Sequence, residues 1–137
     1  DLQRILEVVK IKPGEIFYDL GSGDGRGVCA AARRGAEAYG FERAWPLVLW
    51  SRFLIFIFGL RGKAFIRRVD FLKINLNPAD IIFCYLTPKA MDHLKSKLKA
   101  ELKPGTRVFS RTFVVPGWQP VAVHRFCKYS SPVYEYR

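Results

Sequence analysis

The residues of this chain that are best suited to bind a ligand lie in one short segment, in which glycines and acidic residues alternate. The segment consists of Asp19, Gly21, Ser22, Gly23, Asp24 and Gly25. Glycines at this spacing let the backbone turn tightly and let a ligand approach it closely. Two carboxylates beside the turn attract a cation and repel a pyrophosphate. The segment therefore predicts a binding site for a positively charged small molecule.

A dinucleotide-binding loop is the obvious alternative, but its glycine spacing differs. That fingerprint has the form G-x-G-x-x-G. Counted from Gly21 and Gly23, the third glycine would fall at position 26, where the chain has Arg26. S-adenosyl-L-methionine suits the segment better, because it has no phosphate and brings an ammonium, a sulfonium and one carboxylate. We expect Asp19, and as a second candidate Asp24, to face the ammonium, and backbone N–H groups of the loop and the helix start to bind the carboxylate.

Further acidic residues follow at matching places along the chain. Glu42 comes 23 residues after Asp19, and an acidic residue at about that distance binds ribose hydroxyls in this class of fold. Asp70 is expected to accept a hydrogen bond from the adenine amino group, while the backbone N–H of Phe71 donates to the ring. Arg43, next to Glu42, is assigned to the same cofactor site. Three acids that each end a successive predicted strand are hard to assign to chance.

Alternating helix and strand patterns place these residues at one edge of a sheet. The sequence predicts helices over 2–9, 27–34 and 46–58 and a fourth that begins at Pro88 with Thr87 as N-cap. It predicts strands over 15–20, 36–42, 64–69, 80–85 and 106–110, and a closing hairpin within 121–136. This alternation is typical of an α/β fold with a mostly parallel sheet and helices on both faces. Ligands of such sheets bind at the carboxyl ends of the strands, where all three acids fall.

Composition limits the compartment and the partners. The 137 residues form one predicted domain, half of them are apolar, and the net charge is +11. That charge predicts affinity for an anionic partner: nucleic acid, an acidic lipid surface or an acidic protein. The alternative is that the basic side chains form a solvated surface that only aids solubility. The three widely spaced cysteines indicate neither a disulfide framework nor a metal site, and they favour a reducing, cytoplasmic compartment.

The most apolar stretch, residues 47–60, is too short for a membrane span and is interrupted by Arg52. Its aromatic residues, with Trp45 just before it, are expected mostly in the core. Any that stay exposed would form a membrane-facing or partner-facing surface beside Arg52 and Arg61. No cleavable signal peptide is expected.

Residues 18–26 resemble motif I of the class I S-adenosylmethionine-dependent methyltransferases. More narrowly, the chain resembles the protein-lysine methyltransferases of the adenine-nucleotide-translocase and ATP-synthase c-subunit type, with their small prokaryotic relatives. The narrower resemblance rests on residues 40–42, 47–48, 51–52, 85–88, 102–108 and 113–118. It implies a Rossmann-like seven-stranded sheet with an antiparallel last strand. It also implies that S-adenosyl-L-methionine is the methyl donor, S-adenosyl-L-homocysteine the product and a protein lysine ε-amine the acceptor, often on a membrane protein.

Two features depart from the family's pattern. Relatives usually carry a segment before the first helix that packs over the cofactor, whereas this sequence starts at Asp1, so that lid is expected to be missing or supplied elsewhere. Relatives also tend to have Asn-Pro just after the acid of the second strand, whereas residues 43–46 read Arg-Ala-Trp-Pro. We therefore expect the rim of the pocket to differ.

Methyl transfer is an in-line displacement that mainly needs alignment of the nucleophile and the methyl group. The acceptor lysine must be neutral, and burial beside the sulfonium lowers its pKa, so no dedicated base is required. Tyr85 and Thr87 are the candidate catalytic residues that shape the acceptor pocket, and Tyr85 is also assigned to the cofactor site. His93 and His124 are expected to be structural or exposed.

Two other functions remain open at this point. An RNA or DNA methyltransferase is favoured by the charge of +11. It is disfavoured because residues 84–88 read Cys-Tyr-Leu-Thr-Pro instead of an Asn/Asp-Pro-Pro-Tyr motif, and because no Pro-Cys pair occurs. The other function is a catalytically silent subunit that binds S-adenosylmethionine. The expected partner is a protein that presents lysine. An anionic membrane surface or a membrane protein is a further candidate, and no metal is expected. The enzyme is then cytoplasmic or peripheral to a membrane.

Overall fold

The computed structural model describes residues 1–137, with a seven-stranded sheet at the centre. Its helices are α1 (Leu2–Val9), α2 (Arg26–Arg33), α3 (Trp45–Ile57) and α4 (Pro88–Glu101), with a short 3₁₀ helix at Phe71–Lys73. Its strands are β1 (Ile16–Leu20), β2 (Glu37–Glu42), β3 (Ala64–Arg68), β4 (Ile81–Cys84), β5 (Arg107–Arg111), β6 (Ala122–His124) and β7 (Val133–Tyr136). Every predicted helix and strand is confirmed, with ends that differ by a few residues.

The strand order of the sheet is β3-β2-β1-β4-β5-β7-β6. The strands from β3 to β5 in this order are parallel, whereas β7 is antiparallel to both of its neighbours. The Rossmann-like fold with a closing hairpin is therefore confirmed. The chain runs outward in one direction from β1 and in the other direction from β4, so the topological switch point lies between these two strands.

Helices cover both faces of the sheet, and the period of two in β1 divides its side chains between them. Phe17 joins the core under α1, α2 and α3. Tyr18 and Leu20 join the core under α4. Asp19 shares the face of Phe17, and in the sheet it is paired with Gly40 on one side and Phe83 on the other. The first acid of the glycine segment is therefore held in the middle of the sheet, towards α2.

The start of α4 follows from two residues that the sequence analysis identified. Thr87 Oγ1 accepts a hydrogen bond of 3.2 Å from the backbone N–H of Ala90, and Pro88 occupies the first helical position. A side-chain cap and a proline without an N–H both satisfy the first turn of a helix. The predicted N-cap is confirmed.

The expectation that the aromatic residues of α3 lie mostly in the core is wrong. Only Val48, Ser51 and Ile55 of this helix are buried. Its outer side chains, among them Trp50 and Phe53, are about half exposed. The reason is that α3 packs against β2 and the edge strand β3 on one side only. None of the helices has the length and apolar character needed to cross a membrane.

Candidate cofactor-binding site

A cavity of about 670 Å³ opens at the carboxyl ends of β1 and β4, which is the switch point of the sheet. The structure brings six of the predicted site residues together in its lining: Asp19, Gly21, Ser22, Gly23, Asp24 and Tyr85. Three others, Glu42, Arg43 and Asp70, line a second cavity of about 650 Å³. Gly25, Phe71 and Thr87 line neither of the two cavities.

Asp19 is the most unusual ionisable group of the first cavity. Its side chain is buried and accepts no hydrogen bond from any group in the chain. Burial, with the negative charges of Glu42 and Asp24 adding to it, raises the pKa of Asp19 to about 7. A carboxylate that is buried among like charges is stabilised by a cation. Asp19 therefore fits a ligand ammonium.

The position of Asp19 depends on a glycine in α2. A Cβ at Gly27 would lie 2.7 Å from Asp19 Oδ2, which is closer than non-bonded atoms approach. Gly27 was not predicted as a site residue, although it lines the cavity. The N-cap residue of α2 supplies no side-chain cap. The N–H of Arg26 donates to Asp24 Oδ1 at 3.2 Å, whereas the N–H groups of Gly27 and Val28 have no partner in the chain. An uncapped helix start of this kind binds anions such as a ligand carboxylate.

Three backbone N–H groups of the glycine loop are already hydrogen-bonded within the chain, so they do not bind the ligand carboxylate as was expected. The N–H groups of Gly21 and Ser22 donate to the carbonyl oxygen of Phe41 at 2.9 and 3.1 Å. The N–H of Gly23 donates to Glu42 Oε2 at 2.9 Å. The loop crosses the end of β2, and its buried donors are satisfied there. Among the donors that were expected, those without a partner in the chain are the N–H groups of Asp24 in the loop and of Gly27 and Val28 in α2.

Asp24 and Ser22 differ sharply in their hydrogen bonding. The Asp24 carboxylate lies 2.7 Å from Arg26 Nε and also accepts from the backbone N–H of Arg26 at 3.2 Å. Ser22 Oγ, in contrast, is buried without a partner. The oxygen is inaccessible and lies against β2, where a Cβ at Gly40 would be 2.7 Å from it, so the hydroxyl does not face the cavity. Asp19 and the start of α2 are the groups that fit the amino-acid portion of S-adenosyl-L-methionine.

Gly25 serves the packing of two helices and does not line the cavity. Its φ is +81°, and a Cβ there would lie 2.7 Å from Cβ and Oγ of Ser51 in α3. Ser51 Oγ lies 2.7 Å from the carbonyl oxygen of Leu47 and 3.2 Å from that of Gly23. The glycine thus allows α3 to pack against the loop, and this close approach explains why it is needed.

The second cavity adjoins the first at Glu42. Oε2 of this residue accepts from Gly23, which lines the first cavity, whereas Oε1 accepts from the N–H groups of Arg43 and Ala44 at 3.1 Å each. Each carboxylate oxygen can accept more than one hydrogen bond, so Glu42 can still bind a hydroxyl. The two cavities therefore form adjacent parts of one site.

The other predicted adenine contacts form a turn. Asp70 Oδ1 accepts a hydrogen bond of 3.0 Å from the N–H of Leu72 and caps the 3₁₀ helix. The half-buried side chain of Phe71 packs against the core under α4. Asp70 faces the second cavity with one oxygen already hydrogen-bonded, and Phe71 lies outside the lining.

Residues at the end of β5 were missed by the sequence analysis. Arg111 lines the first cavity, and its guanidinium lies 5.3 Å from the centre of the Tyr85 ring and 3.6 Å from the Asp1 carboxylate. Its Nε is buried without a partner. The strand-end rule that identified Asp19 would have found Arg111 if it had been applied to the fifth strand. Phe83, a further lining residue, belongs to β4 and carries no such signal.

The remaining ionisable candidates lie away from the cavities. His93 is exposed, and His124 Nε2 lies 2.8 Å from Glu135 Oε2. No group of three His, Cys, Asp or Glu side chains is arranged to hold a metal ion.

Comparison with known proteins is consistent with this site. A family model described as the ANTKMT methyltransferase domain matches residues 19–122. A protein-lysine N-methyltransferase from Saccharolobus islandicus is 36% identical over 124 residues, which cover 89% of this chain and 77% of that protein. The adenine nucleotide translocase lysine N-methyltransferase of Mus musculus is 37% identical over 123 residues, and the match covers 89% of this chain but 53% of the mouse protein. The chain thus spans about half the length of the mouse relative.

Among solved structures, an RNA methyltransferase from Salinibacter ruber in complex with S-adenosyl-L-homocysteine superposes with a TM-score of 0.93. It is 32% identical in sequence, and the superposition covers 98% of this chain and 88% of the other. These findings confirm the resemblance to class I methyltransferases and the cofactor that it implies.

Proposed function

Because this chain belongs to the family of the ANTKMT methyltransferase domain, we propose that it transfers methyl groups from S-adenosyl-L-methionine to the ε-amine of protein lysines. The observation that carries the proposal is the buried Asp19 carboxylate, which has no cationic partner in the chain. The lysine acceptor is supported by the names of the archaeal and mouse relatives.

The first cavity would hold the amino-acid portion of the cofactor. Asp19 binds the ammonium, and the N–H groups at the start of α2 bind the carboxylate. The second cavity would hold the nucleoside, with Glu42 on the ribose hydroxyls and Asp70 on the adenine amino group. When bound, the cofactor supplies a methyl group on a positively charged sulfonium.

Tyr85 would receive the acceptor lysine. It follows β4 directly, lines the first cavity and is 55% exposed, so an incoming side chain can reach its ring. The guanidinium of Arg111 lies 5.3 Å from the centre of that ring and is paired with the Asp1 carboxylate at 3.6 Å. Burial of the lysine beside the sulfonium of the cofactor would favour the neutral amine, which is the reactive form. Alignment of the amine with the methyl group then supplies much of the rate.

Thr87 has a different role in this proposal from the one expected from the sequence. Its hydroxyl caps α4 and it lies outside the cavity lining. We therefore assign Thr87 to positioning, because the cap fixes the point where the chain turns from Tyr85 into the helix.

The test is a transfer assay with radiolabelled S-adenosyl-L-methionine, protein extract and RNA. We expect label in protein that survives nuclease and maps to lysine. Asp19→Asn should abolish the transfer, whereas Asp92→Asn, an exposed acid on α4, is the matched control and should leave it unchanged. Label in protein that maps to other side chains would contradict the lysine proposal.

RNA methylation is the second candidate function. It is favoured by the description of the Salinibacter ruber structure as an RNA methyltransferase and by the net charge of +11. In the same assay, label that is released by ribonuclease would replace the lysine proposal with this one. Binding of S-adenosyl-L-homocysteine without any transfer would instead favour the catalytically silent subunit.

A further inference from the structure

Helix α3 presents an apolar outer face that no part of the chain covers. Leu49, Trp50, Phe53 and Ile57 lie on the side opposite the buried Val48, and all four are about half exposed. Trp50 and Phe53 contact each other, with 5.7 Å between ring centres. We call these four residues the α3 face. A helix that is apolar on both sides is normally buried, so this face indicates a binding surface.

Two arginines stack on aromatic rings at the two ends of α3. Arg33 lies 4.3 Å from the ring centre of Phe58, and Arg68 lies 5.2 Å from that of Trp45. The residues from position 43 to 69 include six basic side chains and no acidic one. The six are Arg43, Arg52, Arg61, Lys63, Arg67 and Arg68. The segment that carries the face is therefore strongly basic, and the one acid at the groove between α3 and β3 is Glu37, which accepts a hydrogen bond from the hydroxyl of Tyr39. The complement of this excess of positive charge is an anionic surface.

A groove of about 420 Å³ lies beside this face, between α3 and the edge strand β3. Its walls include Phe56 and Phe65, and three arginines, Arg52, Arg61 and Arg67, also line it. Apolar walls with several guanidinium groups fit a molecule that joins a hydrocarbon chain to a phosphate. A phospholipid has this chemistry.

From these observations we propose that the α3 face and its arginines dock the enzyme on the surface of an anionic lipid bilayer. The apolar side chains enter the boundary between headgroups and acyl chains, and the arginines bind lipid phosphates. Tryptophan and arginine are suited to this boundary because each has an apolar body and a polar end. At 13 residues, α3 lies in the interface and does not span it.

A second copy of the chain is a poorer occupant. A symmetric dimer through the α3 face would bring the same set of cations from both copies together. This like-charge repulsion opposes association, whereas an anionic bilayer neutralises the same cations. If the occupant were an acidic protein with an apolar surface, the chain would not bind anionic vesicles that contain no protein.

The docking would also place the candidate active site near the lipid. Leu47, in the first turn of α3, lines the first cavity, and Arg43 and Arg68 line the second. A helix held on the bilayer therefore brings both cavities to the membrane surface. The proposal does not depend on lysine being the acceptor, because binding to lipid needs neither methyl donor nor methyl acceptor.

The test is sedimentation with vesicles of phosphatidylcholine alone or mixed with phosphatidylglycerol. We expect binding to the mixed vesicles, weaker binding at high salt, and a blue shift of tryptophan emission. Trp50→Ser with Phe53→Ser should reduce the partition coefficient at least about tenfold. Val121→Ser with Tyr129→Ser, also exposed, is the matched control and should bind normally. Circular dichroism and binding of S-adenosyl-L-homocysteine show whether each variant is folded.

A second pair of variants tests the charges. Arg61→Gln with Lys63→Gln should lower binding to mixed vesicles roughly tenfold or more. Lys89→Gln with Lys99→Gln removes the same charge from exposed positions on α4 and should have little effect. Equal losses in both pairs, or no binding to mixed vesicles, would overturn the proposal. A dimer in sedimentation equilibrium that the Trp50 and Phe53 substitutions dissociate would assign the face to a second copy instead.

Discussion

Asp19 and Gly27 approach so closely that a Cβ at position 27 would lie 2.7 Å from Asp19 Oδ2. The buried carboxylate and the start of α2 are thereby held side by side in the cavity wall. Such a pair can bind both charged groups of an amino acid, because the carboxylate of Asp19 attracts the ammonium and the N–H donors of α2 attract the carboxylate.

Gly27→Ala is therefore expected to weaken binding of S-adenosyl-L-homocysteine at least about tenfold, since Asp19 must move by several tenths of an ångström. Stability should change less than affinity, because alanine is the better helix former. Isothermal titration calorimetry and thermal unfolding measure the two effects. Unchanged affinity in this variant would mean that Asp19 does not bind the ligand.

Asp19→Asn should separate stability from function. Replacing a buried, uncompensated carboxylate by a neutral amide of the same shape should stabilise the protein without ligand at neutral and alkaline pH. Binding of the cofactor should be lost in the same variant. Thermal unfolding of both proteins, with and without S-adenosyl-L-homocysteine, tests both expectations, and Asp92→Asn is the surface control.

The raised pKa of Asp19 gives stability a defined pH dependence. The folded-state pKa of about 7 lies above the ordinary value of 3.8. At a pH between these two values, Asp19 is therefore protonated in the folded protein and ionised in the unfolded chain. The contribution of Asp19 to stability is thus complete below the ordinary value and is lost as pH rises towards 7. The wild-type protein should lose more stability over this range than Asp19→Asn. Parallel curves of melting temperature against pH would contradict the buried titration.

Ligand binding should show the opposite trend. Protonated Asp19 cannot pair with an ammonium, so affinity for S-adenosyl-L-homocysteine should fall as pH decreases below about 7. 5′-Methylthioadenosine, which lacks the amino-acid portion, is the control, and its affinity should be nearly independent of pH in this range. Calorimetry with both ligands across the range makes the comparison.

Tyr85 and Thr87 should differ in what their removal changes. Tyr85→Ala is expected to lower kcat for methyl transfer about a hundredfold with a smaller effect on cofactor affinity, because it removes the group that aligns the acceptor. Tyr85→Phe separates the ring from the hydroxyl. A Tyr85→Ala variant with full kcat would exclude Tyr85 from the acceptor pocket.

Thr87→Ala should lower the free energy of unfolding by about 1 kcal/mol through loss of the helix cap. Thr87→Ser keeps the hydroxyl and should retain the wild-type free energy of unfolding. Denaturant unfolding measures the change, and equal losses in both variants would show that the cap is not its cause.

The fold was predictable because each strand and helix has a local pattern. The acids at the strand ends were predictable for the same reason, since the end of a strand in a parallel sheet is a fixed place in space. What the pattern does not contain is the partner of each polar group. The hydrogen bonds of Gly21 and Ser22 to Phe41 join residues about 20 positions apart, so only the folded loop shows that these donors are occupied.

The exposure of α3 was unpredictable for a different reason. Amphipathic helices reveal their buried side by the spacing of apolar residues. In residues 45–57, apolar side chains occupy nearly every position, so the sequence does not distinguish the side facing the sheet from the side facing outward. The position of β3 at the edge of the sheet then decides the outcome, because no neighbouring element is there to cover the helix.

The position of β7 between β5 and β6 has a consequence for how the chain folds during synthesis. β6 leaves the ribosome before β7, yet β7 is the strand with which it pairs. Until β7 has emerged, β6 has no neighbour and the growing sheet ends at β5. β6 can therefore join the sheet only together with β7 or after it, although β6 is synthesised first.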